Sequence, residues 1–419
     1  MGKPFSLFGH ELSAPKGHLA ESHRARTPAE TLNAYQRFMP MMGITRIANI
    51  TGLDSIGLPT YTAIRPNSRA LTTAQGKGLD HDAARVSALM ESIESWHAER
   101  IELPLRFESY AELSRGAAVA DIHRLTRAAG RRVSTDTPLL WVAGEDLFGQ
   151  RPTYVPYDLV TMNNVHPPEY TPTFYVGTDG LASGNHLLEA LVHALCDRIE
   201  RDAAALWYAS PAEPIAVDLD TVDDPACRQL LRLVHEADVE AVAWDLTSDI
   251  GIPTFTCNVM ERPGRQTGRG LGFYHGFGCH LDATMALYRA IIEAVQGRVT
   301  FISGSRDDLL YSHFQAVRDP ELLEGMWREI LAGKPRARRW TGEPRLSTDS
   351  FEDDLRVLLA ALEAAGLGSA IAVDLSRADV GIPVVRVIVP GLEIIPDPGA
   401  EVGARYAAAQ AQGSPMEPE

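Results

Sequence analysis

The chain is predicted to fold as an α+β protein with mixed sheets. Strand-like and helix-like patterns alternate along its 419 residues, but without the strict period of a doubly wound βαβ fold. Three of the helical segments carry several carboxylates within an otherwise apolar pattern. With 45% hydrophobic residues, a chain of this length has enough apolar side chains for one large domain or a few subdomains.

The individual elements are predicted from local signals in chain order. Thr27, Pro28 and Glu30 form a capping box with a proline in the first turn, and open a helix through about Phe38. Asn185 is placed to cap a second helix. Strands are predicted over residues 44–50, 58–64, 139–142, 153–160, 214–218, 239–245, 253–260, 369–374 and 383–389. Further helices are predicted over residues 82–100, 110–129, 223–236, 282–296 and 351–365.

The domain organisation follows from where these patterns stop. Residues 1–25 are polar and aperiodic and are predicted to be a flexible N-terminal arm. Residues 26–395 are expected to form the main domain, and residues 396–419 a C-terminal tail. A glycine-rich passage over 268–278 precedes the third acid-bearing helix, and the basic, turn-rich segment 333–349 is predicted to be an exposed loop.

Composition excludes several classes of protein. The formal net charge of −16 argues against general binding to nucleic acid or to an anionic membrane. No apolar run is long enough to span a bilayer, and no signal peptide is recognisable. The four cysteines form no CxxC pair, so a zinc site or a disulfide scaffold is not expected. These features indicate a cytoplasmic protein in a reducing compartment.

The first acid-bearing segment places two carboxylates on one helix face. At about 100° per residue, Glu91 and Glu94 fall about 60° apart, with Ser87 one turn earlier. Glutamates at this spacing are common on ordinary exposed helices, where Lys or Arg usually pairs with them. Here the neighbours are mostly apolar or small, which favours a buried polar site.

The second and third segments repeat this feature. Glu189, Asp197 and Glu200 lie within an arc of about 80° on an apolar helix. The third segment carries Glu293, Gln296 and Arg298. Carboxylates that converge from separate helices repel one another unless cations lie between them, and hard oxygen donors favour Mg²⁺ or Ca²⁺. The pattern therefore indicates a Mg²⁺–nucleotide site, although no GxxxxGK[ST], GxGxxG, HExxH or GxSxG motif is present.

The ordered motifs resemble those of the YcaO-domain proteins over roughly residues 43–390. Those that carry the resemblance are Gly43-Ile-Thr-Arg46, Gln75-Gly-Lys77-Gly, Ser87-x3-Glu91-x2-Glu94, Gly180-Leu-Ala-Ser-Gly-Asn185 with Glu189, Glu200-Arg201-Asp202, His280, Glu293-x2-Gln296-Gly-Arg298 and Gly304-Ser-Arg306-Asp-Asp308. The segment Val389-Pro390-Gly391-Leu392-Glu393 is similar to the subgroup that works beside a TfuA-type partner, and the chain lacks a PxPxP ending.

This resemblance implies a YcaO-type ATP-binding fold of several intertwined subdomains, with ATP and Mg²⁺ as cofactors. The implied metal ligands are Glu91, Glu94, Glu189, Asp197 and Glu200. The implied nucleotide contacts are Arg46, Lys77, Ser87, Arg201, Glu293, Gln296 and Arg298. The implied catalytic residues are Glu91, Glu200 and Arg201. Asp197 departs from the family pattern, which more often has Glu, so its metal contact is direct only after a small shift and otherwise passes through water.

The resemblance also implies a reaction, ATP-dependent activation of a peptide backbone amide. With external sulfide as nucleophile the product is a thioamide. The expected partners are a precursor peptide or protein, a sulfur donor and a TfuA-like protein. The resemblance is also compatible with a homodimer. With a neighbouring Cys, Ser or Thr the product is an azoline. A non-catalytic nucleotide-binding accessory factor for methylthiolation is a further alternative. A two-metal hydrolase using His186, His193 and His280 is another, although core or capping histidines explain that spacing as well.

Overall fold

A computed structural model describes residues 4–17, 23–165, 167, 170–209, 215–261, 272–309, 311–316, 319–333 and 337–413. Its strands are β1 (Phe5–Leu7), β2 (His10–Leu12), β3 (Arg46–Asn49), β4 (Thr60–Ile64), β5 (Thr73–Lys77), β6 (Leu105–Ser109), β7 (Ala118–Val119), β8 (Pro138–Asp146), β9 (Arg151–Pro156), β10 (Leu181–Ser183), β11 (Ile215–Asp218), β12 (Val239–Asp245), β13 (Thr254–Glu261), β14 (Phe273–Cys279), β15 (Arg338–Arg339), β16 (Ile371–Asp374) and β17 (Val384–Ile388).

The helices lie between and beside these strands. They are α1 (Pro28–Tyr35), α2 (Met39–Met42), α3 (His81–Ala98), α4 (Tyr110–Leu113), α5 (Leu187–Ala209), α6 (Pro225–Glu236), α7 (Ala283–Ser303), α8 (Tyr311–Ala316), α9 (Pro320–Gly333), α10 (Phe351–Ala364) and α11 (Ala404–Gly413). The predicted α+β class is confirmed. In the described part of the chain, no helix has the length and hydropathy needed to cross a membrane.

The described strands form four sheets. A seven-stranded sheet has the order β10-β17-β16-β8-β9-β7, with β6 paired to β8, and a five-stranded sheet has the order β14-β13-β12-β11-β15. A three-stranded sheet runs β3-β4-β5, and β1 pairs with β2. Helix α3 packs on the three-stranded sheet, α7 packs on the five-stranded sheet, and α5 packs against β17, α10 and α11. The three acid-bearing helices therefore come from three different layers.

Two Gly-x-Gly pairs explain why α3 and α7 lie so close to their sheets. A Cβ at Gly76 would lie 2.0 Å from the Ala88 backbone nitrogen, and one at Gly276 would lie 2.2 Å from the Ala294 nitrogen. Because Cβ atoms do not approach backbone that closely, only glycine permits this contact. The Gln75-Gly-Lys77-Gly motif thus seats a helix on a strand.

The two sheet–helix units are joined by side chains near their contact. The Gln296 Nε2 atom on α7 donates to the Gln75 carbonyl oxygen on β5 at 2.8 Å. The Thr300 hydroxyl donates to the Gln75 side-chain oxygen. This joint fixes α7 against the strand that precedes α3.

Several predicted elements differ from the structure. The expected flexible arm includes β1 and β2, and Phe5 and Leu7 are buried in the main core. The predicted helix over 110–129 stops at Leu113, and Ala118–Val119 pairs with β9 as a strand. The expected tail contains α11, whose Arg405 bonds with Asp202 on α5. In each case long-range contacts decide the local structure, and short sequence windows do not contain them.

Candidate functional site

A cavity of about 880 Å³ lies where α3, α5 and α7 face one another. Its volume falls in the usual range for sites that bind small molecules, about 300–1,000 Å³. Nine of the predicted site residues line it: Lys77, Ser87, Glu91, Glu94, Glu189, Asp197, Arg201, Glu293 and Gln296. Segments far apart in the sequence thus contribute to one wall.

On α3, Glu91 and Glu94 point to the cavity as the helical spacing predicts. Glu94 accepts hydrogen bonds from the Ser183 backbone N–H at 2.8 Å and from its hydroxyl at 2.7 Å. Burial raises the pKa of Glu94 to about 7, and the nearby Glu91 charge adds to the rise. Burial also raises the pKa of Glu91 to about 6, against the opposing effects of Lys77 and Arg306. Both carboxyl groups therefore ionise less readily than an ordinary glutamate.

On α5, Asp197 and Glu200 flank Arg201. Asp197 accepts from the Gly180 backbone N–H at 2.6 Å and lies 3.3 Å from Arg201 Nη2. Glu200 accepts from the Cys279 backbone N–H at 3.0 Å and lies 3.5 Å from Arg201. Burial raises the pKa of Glu200 to about 7. Burial alone would lower the pKa of Arg201, but the surrounding carboxylates outweigh it and the pKa rises.

Glu189 is bonded to the segment that precedes α1. It accepts from the Ala25 backbone N–H at 3.0 Å and from Arg24 Nη1 at 3.2 Å. Its side chain is only 2% exposed. The polar segment before α1 thus forms part of the cavity wall, although its sequence predicts a flexible arm.

On α7, Glu293 and Gln296 face β5. The Glu293 carboxylate lies 3.9 Å from Lys77 Nζ. Gln296 is held by its bond to the Gln75 carbonyl oxygen. Both residues line the cavity where α7 meets the three-stranded sheet.

Three predicted site residues lie outside the cavity lining. Arg46 is exposed on β3. Glu200 lies behind the wall and reaches the site through Arg201. Arg298 is fully buried, where its Nε atom bonds both oxygens of Asp54, at 3.0 and 2.9 Å, and Nη2 bonds Glu261. In this position Arg298 pairs with carboxylates of the protein interior and does not line the cavity.

Additional cations line the cavity. Arg24, Arg26, Arg289 and Arg306 join Lys77 and Arg201 around the same space. Arg289 lies one turn before Glu293 on α7, and Arg306 belongs to the Gly304-Ser-Arg306-Asp-Asp308 motif. The sequence therefore contains a signal for each of these two: Arg289 has the helical spacing from Glu293, and Arg306 lies in a recognisable motif. No local pattern singled out Arg24.

The histidines do not support the hydrolase alternative. His193 and His280 line the cavity, and burial lowers the pKa of both well below the usual value. Arg289 Nη2 lies 3.0 Å from His193 Nε2, which leaves that nitrogen as an acceptor. Among the residues that the structure describes, no group of three or more His, Cys, Asp or Glu side chains could hold a metal ion.

The residues present nevertheless fit a magnesium nucleotide. Mg²⁺ usually takes one or two protein carboxylates and completes its shell with water and phosphate oxygens. Carboxylates spread over α3 and α5, with raised pKa values at Glu91 and Glu94, suit cations that arrive with phosphate groups. The arginines and Lys77 on the same wall suit the phosphates themselves.

Comparisons with known proteins identify the family of this chain. Residues 75–393 match the family model described as YcaO cyclodehydratase, ATP- and Mg²⁺-binding. An uncharacterized protein of Methanothermobacter thermautotrophicus is 36% identical over 91% of this chain and 98% of its own length. An uncharacterized protein in the tfuA 3′ region of Rhizobium leguminosarum bv. trifolii is 34% identical over 88% of this chain and 89% of its own length.

Solved structures show the same fold. A heterocyclase in complex with substrate and cofactor superposes with a TM-score of 0.72 and 26% identity, over 93% of this chain and 55% of that chain. The chain thus spans about half the length of that heterocyclase. YcaO from Methanopyrus kandleri, bound with AMPPCP and Mg²⁺, gives a TM-score of 0.69 at 22% identity over 97% of this chain and 99% of that chain. The family match over most of the chain and the fold agree, and the protein belongs to the ATP- and Mg²⁺-binding YcaO family.

Proposed function

We propose that the protein activates a peptide backbone amide by ATP-dependent O-phosphorylation and converts it to a thioamide. The observation that supports amide activation is that carboxylates of α3 and α5 and six basic side chains line the same cavity. The observation that favours sulfur is the relative in a tfuA 3′ region, which matches 88% of this chain.

The cavity residues divide into two groups by charge. Glu91, Glu94, Glu189 and Asp197 offer oxygen ligands to Mg²⁺, which supplies charge neutralisation at the phosphates when bound. For Glu189 this role requires exchange of its present bond to Arg24. Lys77, Arg201, Arg289 and Arg306 are the basic groups placed to contact phosphate oxygens.

Glu200 positions Arg201 in this proposal. Its carboxylate is anchored by the Cys279 N–H at 3.0 Å and lies 3.5 Å from the guanidinium. Together with Asp197 on the preceding turn, it holds Arg201 at the cavity wall. Phosphoryl transfer depends mostly on such positioning and on electrostatic stabilisation.

The reaction needs phosphorylation because an amide oxygen is a poor leaving group. Hydrosulfide adds to the carbonyl carbon, and the amide oxygen takes the γ-phosphoryl group as ADP leaves. The C–O bond then breaks, phosphate departs with that oxygen and takes up the S–H proton, and the carbon keeps sulfur as C=S. The sum is amide, hydrosulfide and ATP giving thioamide, ADP and phosphate.

Further components are part of the proposal. A TfuA-like protein delivers the sulfur, and the substrate is a ribosomally made peptide or a protein. The basic groups that face the cavity beside the carboxylates, Lys77, Arg201, Arg289 and Arg306, are assigned to the nucleotide. Recognition of the peptide is therefore assigned to other surfaces or to the partner.

An azoline-forming cyclodehydratase is the second candidate. It shares the whole nucleotide site and differs only in its nucleophile, a Cys, Ser or Thr of the substrate. The similarity to a heterocyclase at a TM-score of 0.72 and 26% identity favours it.

Mass spectrometry of the product separates the two reactions. The protein is incubated with MgATP, sulfide and candidate precursor peptides, with and without a TfuA-like partner. A sulfide-dependent mass gain equal to exchange of oxygen for sulfur is expected. Loss of one water without sulfide would assign cyclodehydration instead, and an unchanged peptide with no ATP turnover in any combination would refute amide activation.

A matched pair of variants tests the site assignment in the same assay. Glu91→Gln is expected to abolish MgATP turnover and product formation. Asp82→Asn, an exposed change near the start of the same helix, is expected to leave both unchanged. Equal activity of the two variants would contradict the role of the α3 carboxylates.

A further inference from the structure

A second, smaller pocket lies beside the end of β17, apart from the large cavity. Its volume is about 40 Å³. It lies among α5, β17 and the segments around residues 124–126 and 175–179. Three of its lining side chains are arginines, Arg124, Arg198 and Arg386, which is a high density of positive charge in a protein of net charge −16.

Arg386 is the most deeply buried of the three. It lies on β17 between β10 and β16 and is only 2% exposed. Its Nε atom donates to the Leu159 carbonyl oxygen at 2.7 Å, and Nη2 donates to the Gly177 carbonyl oxygen. The third nitrogen, Nη1, has no hydrogen-bond partner among the described residues. Burial lowers the pKa of Arg386 to about 10, so the side chain still carries its charge at neutral pH.

Arg198 reaches the same pocket from α5. It is 7% exposed, and its Nη2 atom donates to the carbonyl oxygens of Leu392 and Glu393 at 3.2 and 3.4 Å. Its Nε atom also lacks an acceptor within the described part of the chain. Two buried guanidinium groups thus line one small pocket, each with an unused donor.

The carboxylate in this pocket does not neutralise the arginines that line it. Asp179 is the one carboxylate among the described lining residues. Its Oδ1 atom also lies 3.8 Å from Arg201 Nε, so its charge is shared with the large cavity. Asp197 pairs with Arg201 as well. Because buried charges are normally paired, the arginines of this pocket need a further counterion.

We propose that this pocket binds a small monovalent anion, either a halide or a free carboxylate group. A water molecule needs about 10–15 Å³ on the same measure, so the pocket has room for a few water-sized atoms. Arg198 and Arg386 donate to the anion from inside, and the exposed Arg124 lies at the entrance. The shared Asp179 couples the pocket's charge to Arg201.

Thermal unfolding at constant ionic strength tests the binding. Sodium gluconate, whose anion is too large for the pocket, is replaced stepwise by sodium chloride, bromide or formate. At concentrations above its Kd, each tenfold rise in the concentration of a bound anion is expected to raise the unfolding midpoint by about 1.5 °C. A response to halides assigns a halide site, and a response to formate alone assigns a carboxylate site. Equal midpoints in all four salts would overturn the proposal.

Variants and crystallography locate the anion. Arg198→Met removes one guanidinium group and keeps the aliphatic stem, so it is expected to weaken binding about 10- to 100-fold. Arg124→Ala changes only an exposed side chain and is expected to weaken binding without affecting folding. Arg131→Ala, exposed and outside the pocket, is the matched control. In crystals grown with bromide, an anomalous peak is expected between Arg198 and Arg386. A salt response that persists in both pocket variants, or a pocket without the peak, would refute the assignment.

Discussion

Replacing Arg298 by Met is expected to lower the free energy of unfolding and to leave the affinity for the nucleotide unchanged. The structure buries this side chain completely and pairs it with Asp54 and Glu261, whereas the family resemblance implied a nucleotide contact. The two interpretations predict opposite outcomes for one substitution.

The size of the effect follows from the burial of the partners. Asp54 is 7% exposed, and the Glu261 side chain is 19% exposed. Removing one partner of a buried ion pair costs about 3–5 kcal/mol, because the other charge stays buried without compensation. For a chain of this length, at about 2.1 cal/mol/K per residue, that corresponds to a fall in melting temperature of about 3–6 °C.

The assay combines chemical unfolding with MgATP kinetics of the folded protein. Arg298→Met should lower the free energy of unfolding by the stated amount, while the KM for ATP stays unchanged. The triple variant Arg298→Met, Asp54→Asn, Glu261→Gln should regain part of the loss, since no unpaired charge remains. Unaltered stability together with a KM raised by tenfold or more would refute the structural role and restore the nucleotide role.

Other features give shorter tests. Glu94→Gln is expected to abolish MgATP turnover without lowering the melting temperature, because burial already raises the pKa of this carboxyl to about 7; a lower melting temperature by calorimetry would contradict that. Gly76→Ala should destabilise the protein by about 2 kcal/mol or more, since its Cβ would lie 2.0 Å from backbone, whereas Gly52→Ala, with open space around it, should not; urea unfolding compares the two. Mg²⁺ alone should barely shift the melting temperature and MgATP should raise it clearly, because the described residues contain no preassembled metal cluster; equal shifts would count against the shared site. Arg405→Ala should speed hydrogen exchange in α11, whose Arg405 pairs with Asp202 and Asp249; unchanged exchange would show that other contacts hold that helix.

Much of the site could be predicted because its side chains lie on helices, where sequence spacing determines which residues share a face. Glu91 and Glu94 lie on one face of α3 at the predicted spacing, and both reach the cavity. Asp197 and Arg201 likewise lie one turn apart and form an ion pair. Spacing along one helix is a local property, so a single sequence contains it.

What the sequence could not show depends on contacts between distant segments. Arg298 lies on α7 close to Gln296, yet its side chain reaches Asp54, which lies 244 residues away in the chain. Arg24 reaches Glu189 from the segment before α1. The strand β14 lies in a glycine-rich passage, where low β-propensity hides a strand that α7 covers. Each outcome depends on tertiary packing that no local pattern records.

The glycine contacts also have a mechanical consequence. Since Gly76 and Gly276 bring the backbone of each strand against that of its helix, we expect each strand and its helix to move together. The distance between the α3 and α7 backbones that carry Glu91 and Glu293 then depends on the angle between the two strand–helix units. The bond from Gln296 to the Gln75 carbonyl oxygen lies at the junction of these units. Substitutions at this junction are therefore expected to change the distance between the two helices, whereas substitutions of lining side chains change only the local shape of the cavity wall.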